Sequence, residues 1–149
     1  SDLMSQGTRC HQLATYIVFD SPLVMLCDAP TAYRKEPECT RFIAGLPVVA
    51  DETRILQGKM GEYIVTARRV GEDWIVGGLT DWEARTVDLD LSFLPEGMFR
   101  AEIFCDGINA DKKGEDYRHE YRDVKREDRL KMQLAPGGGF AIRLKKNHN

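Results

Sequence analysis

Near residue 51 the spacing of apolar positions changes once, from a helical period to strict alternation. Within 8–19, Cys10, Leu13, Ala14 and Ile17 recur three and four apart, which sets them on one face of a helix. Asp20, Ser21 and Pro22 predict the end of that helix and the cap of a short apolar one over 23–28, since proline at a first helical position lacks only an N–H that would be unpaired there. Pro30 breaks this second helix. A third is predicted over 35–44 with Cys39, Phe42 and Ile43 facing inward, closed by Gly45, Leu46 and Pro47.

Beyond Asp51, strands are predicted over 53–57, 62–70, 73–79, 85–91, 98–105, 129–134 and 140–144, with turn signals at 71–73, 95–97 and 136–139. Val87, Leu89 and Leu91 alternate with Asp88, Asp90 and Ser92, so one face of that strand is dry and the other wet. The segment 114–131 carries two periods at once: Tyr117, Tyr121 and Val124 fall at helical spacing, while Tyr117, His119 and Tyr121 alternate with Arg118, Glu120 and Arg122. Sheet on both sides selects a strand. The fold class is therefore α+β, N-terminal helices followed by an all-β antiparallel sandwich. The boundary is expected after residue 52, with 1–52 helical and 53–149 the sandwich.

Composition fits a globular chain, 149 residues with 42% hydrophobic and 30% charged. Its 21 basic and 24 acidic residues leave a net charge of −3 and no basic field for a phosphate backbone, so no nucleic-acid partner is expected. No run of about 18 apolar residues occurs, so no membrane-spanning segment is expected. The chain opens Ser1-Asp-Leu-Met4 without an initiator and reads as the tail of a larger protein.

Candidate chemistry is sparse. Cys10, Cys27, Cys39 and Cys105 form no close pair and have no histidine at zinc spacing, and three lie in apolar stretches, as buried free thiols do. His11, His119 and His148 share no metal-ligand spacing. No nucleophile elbow occurs, and the run Gly137 to Gly139 leads into a strand rather than a helix, which makes it a turn and not a phosphate cradle. Asp81, Glu83, Asp88 and Asp90 read as a solvated face, and Asp51 and Glu52 as a junction. Trp74 and Trp82 are the possible sugar contacts, because an indole face suits the apolar face of a pyranose. Packing in a core is the alternative for each.

Seven blocks in order carry a resemblance: Gly7-Thr-Arg-Cys-His-Gln-Leu-Ala14, Ser21-Pro-Leu-Val-Met-Leu-Cys-Asp28, Glu38-Cys-Thr-Arg-Phe-Ile43, Asp51-Glu-Thr-Arg-Ile-Leu56, Gly78-Leu-Thr-Asp-Trp82, Phe104-Cys-Asp-Gly-Ile-Asn-Ala-Asp111 and Leu134-Ala-Pro-Gly-Gly-Gly139. Together they span nearly the whole chain, which resembles the C-terminal part of a glycoside hydrolase family 97 enzyme. The resemblance implies a parent with an N-terminal β-supersandwich, a central (β/α)8 catalytic barrel and a C-terminal sandwich, in which 1–52 is the last helical part of the barrel. It implies an exo-acting α-glucosidase or α-galactosidase acting on α-linked oligosaccharides, periplasmic or secreted. Its catalytic carboxylates, and the calcium ligands of many members, lie upstream. No catalytic, cofactor-binding or metal residue is carried over to this chain, and the remainder of the barrel is its expected partner. The alternative is a carbohydrate-binding module using Trp74 or Trp82. Of the helices' apolar residues, Leu13, Ile17, Leu23, Leu26, Phe42 and Ile43 need cover from the sandwich, a second copy or the rest of the parent.

Overall fold

The computed structural model describes residues 7–19, 37–47, 49–114 and 116–148. Helix α1 (Arg9–Val18) and helix α2 (Pro37–Ala44) are followed by strands β1 (Glu52–Lys59), β2 (Tyr63–Val70), β3 (Asp73–Thr80), β4 (Arg85–Asp90), β5 (Phe99–Asp106), β6 (Tyr117–Val124), β7 (Arg129–Leu134) and β8 (Gly139–Lys146). The expected helix over 23–28, together with Leu23, Leu26 and Cys27, lies outside the described residues.

All pairings are antiparallel. One sheet has six strands in the order β1-β2-β3-β8-β5-β6, and a second pairs β4 with β7. The expected strand over 85–91 stops one residue early. The Asp90 side chain accepts the Ser92 N–H at 2.9 Å and turns the chain into a single 3-10 turn, Leu91–Phe93. The ambiguous segment is strand β6. Its register against β5 sets His119 beside Phe104 and Tyr121 beside Glu102, so alternation decides over the helical spacing of the tyrosines.

The two sheets enclose one core, in which Val65, Val76, Leu89, Leu91, Phe99, Ile103, Met132, Phe140, Ile142 and Leu144 are buried. The middle of the other face of the six-stranded sheet is also dry. There α1 and α2 lie on Ile75, Phe104 and Ala141 and bury Cys10, Leu13, Ile17, Cys39, Phe42 and Ile43. The cover those helices need is thus supplied by the sandwich itself. Close approach is possible because β3 has Gly77 under α1, where a Cβ would stand 2.9 Å from Ile17 and 3.1 Å from the Ala14 carbonyl.

Three charged residues of the sheet fix the helices to it. Arg68 donates from Nε to the Ile17 carbonyl at 2.5 Å and from Nη2 to the Val18 carbonyl at 2.9 Å, so its guanidinium caps the last turn of α1. Arg143 donates to the Phe42 carbonyl at the end of α2 at 3.1 Å. Asp106, at the end of β5, accepts from the hydroxyl of Thr8, the residue that caps the start of α1, at 2.7 Å. Cys10, Cys39 and Cys105 are free thiols, all buried, and burial pushes the pKa of each upward.

Candidate functional site

The end of the domain at which α1 begins gathers several of the singled-out residues. Thr8 N–H donates to the Gly137 carbonyl at 2.9 Å, and the Asp106 carboxylate accepts the Ala135 N–H at 2.8 Å and the Gly139 N–H at 3.0 Å. The glycine-rich run is therefore the β7–β8 turn, wrapped round one carboxylate. Gly138 has to be glycine there, since a Cβ would fall 2.0 Å from Asp106 Oδ2. Burial raises the Asp106 carboxyl to about 6, against the hydrogen bonds from Thr8, Ala135 and Gly139, which lower it.

His11, one turn into α1, is hydrogen-bonded through Nδ1 to the Gly138 carbonyl at 3.1 Å, and its own burial lowers its pKa. With the ring neutral, Nδ1 is the donor and Nε2 an acceptor. Its side chain forms one wall of an open trough of about 640 Å3. The trough exists because α1 packs mainly across β3 and β8. At the β1 edge the helix-side face of the sheet is left bare. Ile55 opposes Thr66, and Ile64 opposes Leu79, so all lie on that face. Ile55 is 68% exposed and Met60, in the β1–β2 turn, is fully exposed. Glu62 and Asp81 line its polar corner, each reached by Arg85, at 3.6 and 3.7 Å.

The two tryptophans part company. Trp74 is 3% exposed, packed between the sheets edge-on to Phe93 with centroids 5.0 Å apart and with Arg54 over its ring. It offers no face to a ligand. Trp82 is 60% exposed on the turn after β3, its six-membered ring lying against Gly137. The structure does not bring the two indoles together.

The carboxylates have structural partners. Asp88 and Asp90 each lie 3.2 Å from Arg129, Asp81 accepts the Glu83 N–H at 3.0 Å, Asp51 accepts the Gly71 N–H at 2.8 Å, and Glu52 pairs with Arg69 at 3.1 Å. His119 bridges two layers, its Nδ1 3.0 Å from Glu38 of α2 and its Nε2 2.8 Å from Glu102 of β5, stacked on Phe104 at 4.2 Å. His148 lies 3.0 Å from Glu72 near the chain's end. Among the described residues, no group of three or more His, Cys, Asp and Glu is placed to hold a metal ion, and no helix is long and apolar enough to cross a membrane. The arrangement fits docking better than bond cleavage. The residues that hold it, Arg68, Asp106 and Arg143, had no assigned role in the sequence. A charge between apolar neighbours, Ile142 and Leu144, was the only signal of Arg143, and Arg68, next to Arg69, had none.

Residues 49–145 match the family described as "Glycosyl-hydrolase 97 C-terminal, oligomerisation". The chain is 57% identical over 145 residues to a retaining alpha-galactosidase of Bacteroides thetaiotaomicron, an alignment that takes in 97% of this chain and 22% of that protein. It superposes on a glycoside hydrolase family 97 enzyme in complex with acarbose from Pseudoalteromonas sp. strain K8 with a TM-score of 0.75 at 36% identity, covering 80% of this chain and 20% of that one. A beta-arabinopyranosidase superposes with a TM-score of 0.56 at 28% identity, over 72% of this chain and 16% of the other. The chain thus spans about a fifth of the length of the first two relatives.

Proposed function

Since the chain belongs to the glycosyl-hydrolase 97 C-terminal family, we propose that it is the terminal module of an exo-acting α-glycosidase whose catalytic carboxylates lie outside these 149 residues. The observation that carries this reading is the 57% identity, over nearly the whole chain, to a protein named a retaining alpha-galactosidase. The parent's reaction is accordingly hydrolysis of α-linked oligosaccharides, with α-galactosides the first substrate class to try. Residues 1–52 are the helical end of the catalytic barrel and 53–149 the sandwich that supports it. That division is favoured by a family match that begins at residue 49, although α1 and α2 share a core with the sheet. Calcium, where the parent uses it, is held by residues outside this chain. Oligomerisation, which the family description names, is a role we assign to the module within the intact parent.

The test is to assay the full-length parent and the 149-residue chain on aryl α-galactosides and α-glucosides, with and without calcium. Turnover is expected from the parent alone, because positioned carboxylates supply most of such catalysis. Turnover by the chain, or an intact parent inert toward both, would sink the reading. A second reading rests on Trp82, whose exposure suits stacking on a sugar. In affinity electrophoresis on immobilised oligosaccharide, retardation of the chain that Trp82→Ala abolishes would support a binding module.

A further inference from the structure

The two sheets differ in width, and the difference opens a cleft along one edge of the sandwich. β7 lies mainly over β5 and β8, while β6, the outermost strand of the wide sheet, reaches beyond it. Ala101, Ile103 and Cys105 of β5 belong to the sandwich core, and the register sets Arg122, Glu120 and Arg118 of β6 beside them on that same face. Arg118 and Arg122 therefore line the cleft. Lys131 and Gln133 line it from β7, and Ile108 and Asp111 from the loop after β5, round an open volume of about 870 Å3. Two of its cations have no carboxylate partner among the described residues. Arg118 donates from Nη2 to the Cys105 sulfur at 3.2 Å, and because burial pushes that thiol's pKa up, the guanidinium rests on a neutral and weak acceptor. Lys131 stands opposite Asp88, whose carboxylate is 3.2 Å from Arg129 instead. Arg122 alone is paired, 3.3 Å from Glu120. Of the lining carboxylates, Asp106 turns its oxygens to Thr8, Ala135 and Gly139, which leaves Asp111 open to the cleft. Ile108, 92% exposed, is an apolar part of the wall.

We propose that this cleft binds a uronic acid residue of an oligosaccharide, its carboxylate on Arg118 and Lys131, its hydroxyls on Asp111 and Gln133, and the apolar face of its ring on Ile108. A planar guanidinium takes a carboxylate in two parallel hydrogen bonds, and an ammonium adds a point charge beside it. Sugar hydroxyls both donate and accept, so they suit a carboxylate and an amide at once. An acidic peptide would meet the two cations equally, but its further carboxylates would face Asp111 as like charges. The requirement for an anion stands on the unmatched cations, and the choice of a sugar rests on the reading of the chain as a module of a glycosidase.

Binding is read by calorimetry on the full-length parent and by amide chemical shifts of the 149-residue chain. The probe is a β-linked tri-glucuronate, chosen so that a site for α-linked sugars does not take it; its methyl ester, tetraglutamate and inorganic sulfate are the comparators. The trisaccharide should bind both proteins and move the amides of residues 108, 118 and 131. Its ester should bind about tenfold more weakly, and the acid form should lose about as much on Arg118→Met and on Lys131→Met, two exposed positions whose change leaves the core intact. Lys59→Met, a charge lost at the opposite edge of the sheet, should leave binding unchanged. No binding, an ester as tight as the acid, or full affinity in both cleft variants would overturn the proposal. Tetraglutamate or sulfate binding as tightly as the trisaccharide would overturn it too, since the ligand would then be a peptide or a bare anion. So would a chain that binds and a parent that does not, because the cleft would be closed in the enzyme. Activity separates this proposal from the reading beneath it. A parent that cleaves an α-galactoside but ignores the uronate removes the cleft alone, whereas uronate binding in a parent without glycosidase activity removes the functional reading and leaves the cleft.

Discussion

The six-stranded sheet is covered on both faces, on the second only in part, and the two covers are built differently. Toward β4 and β7 it presents aliphatic and aromatic side chains, Val65, Val76, Phe99, Ile103, Phe140 and Ile142, and among the described residues the buried charges, Arg9, Arg68 and Asp106, lie on the other side. Toward the helices it presents Arg68, Glu102, His119 and Arg143 among Ile75, Phe104 and Ala141. The first face is held by area removed from water, which is non-directional and tolerant of detail. The second sets two short helices at fixed positions, and three polar anchors aim at their ends. A sandwich sheet needs only a dry partner, whereas a helix end needs a donor or acceptor at one particular atom.

The hardest blow to this contrast is a change on the aliphatic face. Phe140→Ala removes a fully buried ring and should cost about 3–5 kcal/mol of unfolding free energy in urea, with both layers lost together. A cost under about 1 kcal/mol would mean the sheets are not packed as described.

Asp106 comes next and acts through pH. Its carboxyl titrates near 6 in the folded chain against 3.8 for the ordinary group, so protonation favours the fold. The contribution is fully present below about pH 4 and lost as pH rises through 6; two units correspond to about 3 kcal/mol. Asp106→Asn can keep its oxygen on the Ala135 and Gly139 N–H groups and turn its amide toward the Thr8 hydroxyl. Unfolding free energies should therefore diverge in favour of the variant between pH 4 and pH 7, and parallel curves would show that the hydrogen bonds outweigh burial.

Arg68→Met should cost about 2 kcal/mol, the worth of charge-assisted bonds to the Ile17 and Val18 carbonyls, and should act locally. Hydrogen exchange should show α1 losing protection while β5 and β8 keep theirs. Uniform loss throughout would erase the distinction between the faces. The smallest effect belongs to the wet face of the small sheet, where Arg129→Ala removes contacts to exposed Asp88 and Asp90 and should leave the denaturant midpoint indistinguishable from that of the wild type.

Periodicity decided a great deal by itself. The switch near residue 51 and the alternation of β4 follow from side-chain direction, and the turn at 136–139 from the positive φ that glycine allows at Gly137; both are properties of the local backbone, and the pattern of Val87, Leu89 and Asp88 already states which side is wet. The ordered blocks of residues carried the family resemblance. What the sequence left open depended on partners distant along the chain. Phe104 and Ala141 read as ordinary strand residues until α2 and α1 are laid over them, and Arg68 reads as a solvated charge until its guanidinium meets carbonyls some fifty positions earlier. Trp74 and Trp82 were equivalent on paper. One lies in a strand between two sheets and the other on a turn, and only the packing of the sheets hides the first and leaves the second in water. The trough was equally invisible, because it is the part of a sheet face that one helix, lying mainly across β3 and β8, fails to cover. A residue's period is fixed by its neighbours in sequence, but its cover is fixed by elements that arrive from elsewhere in the fold.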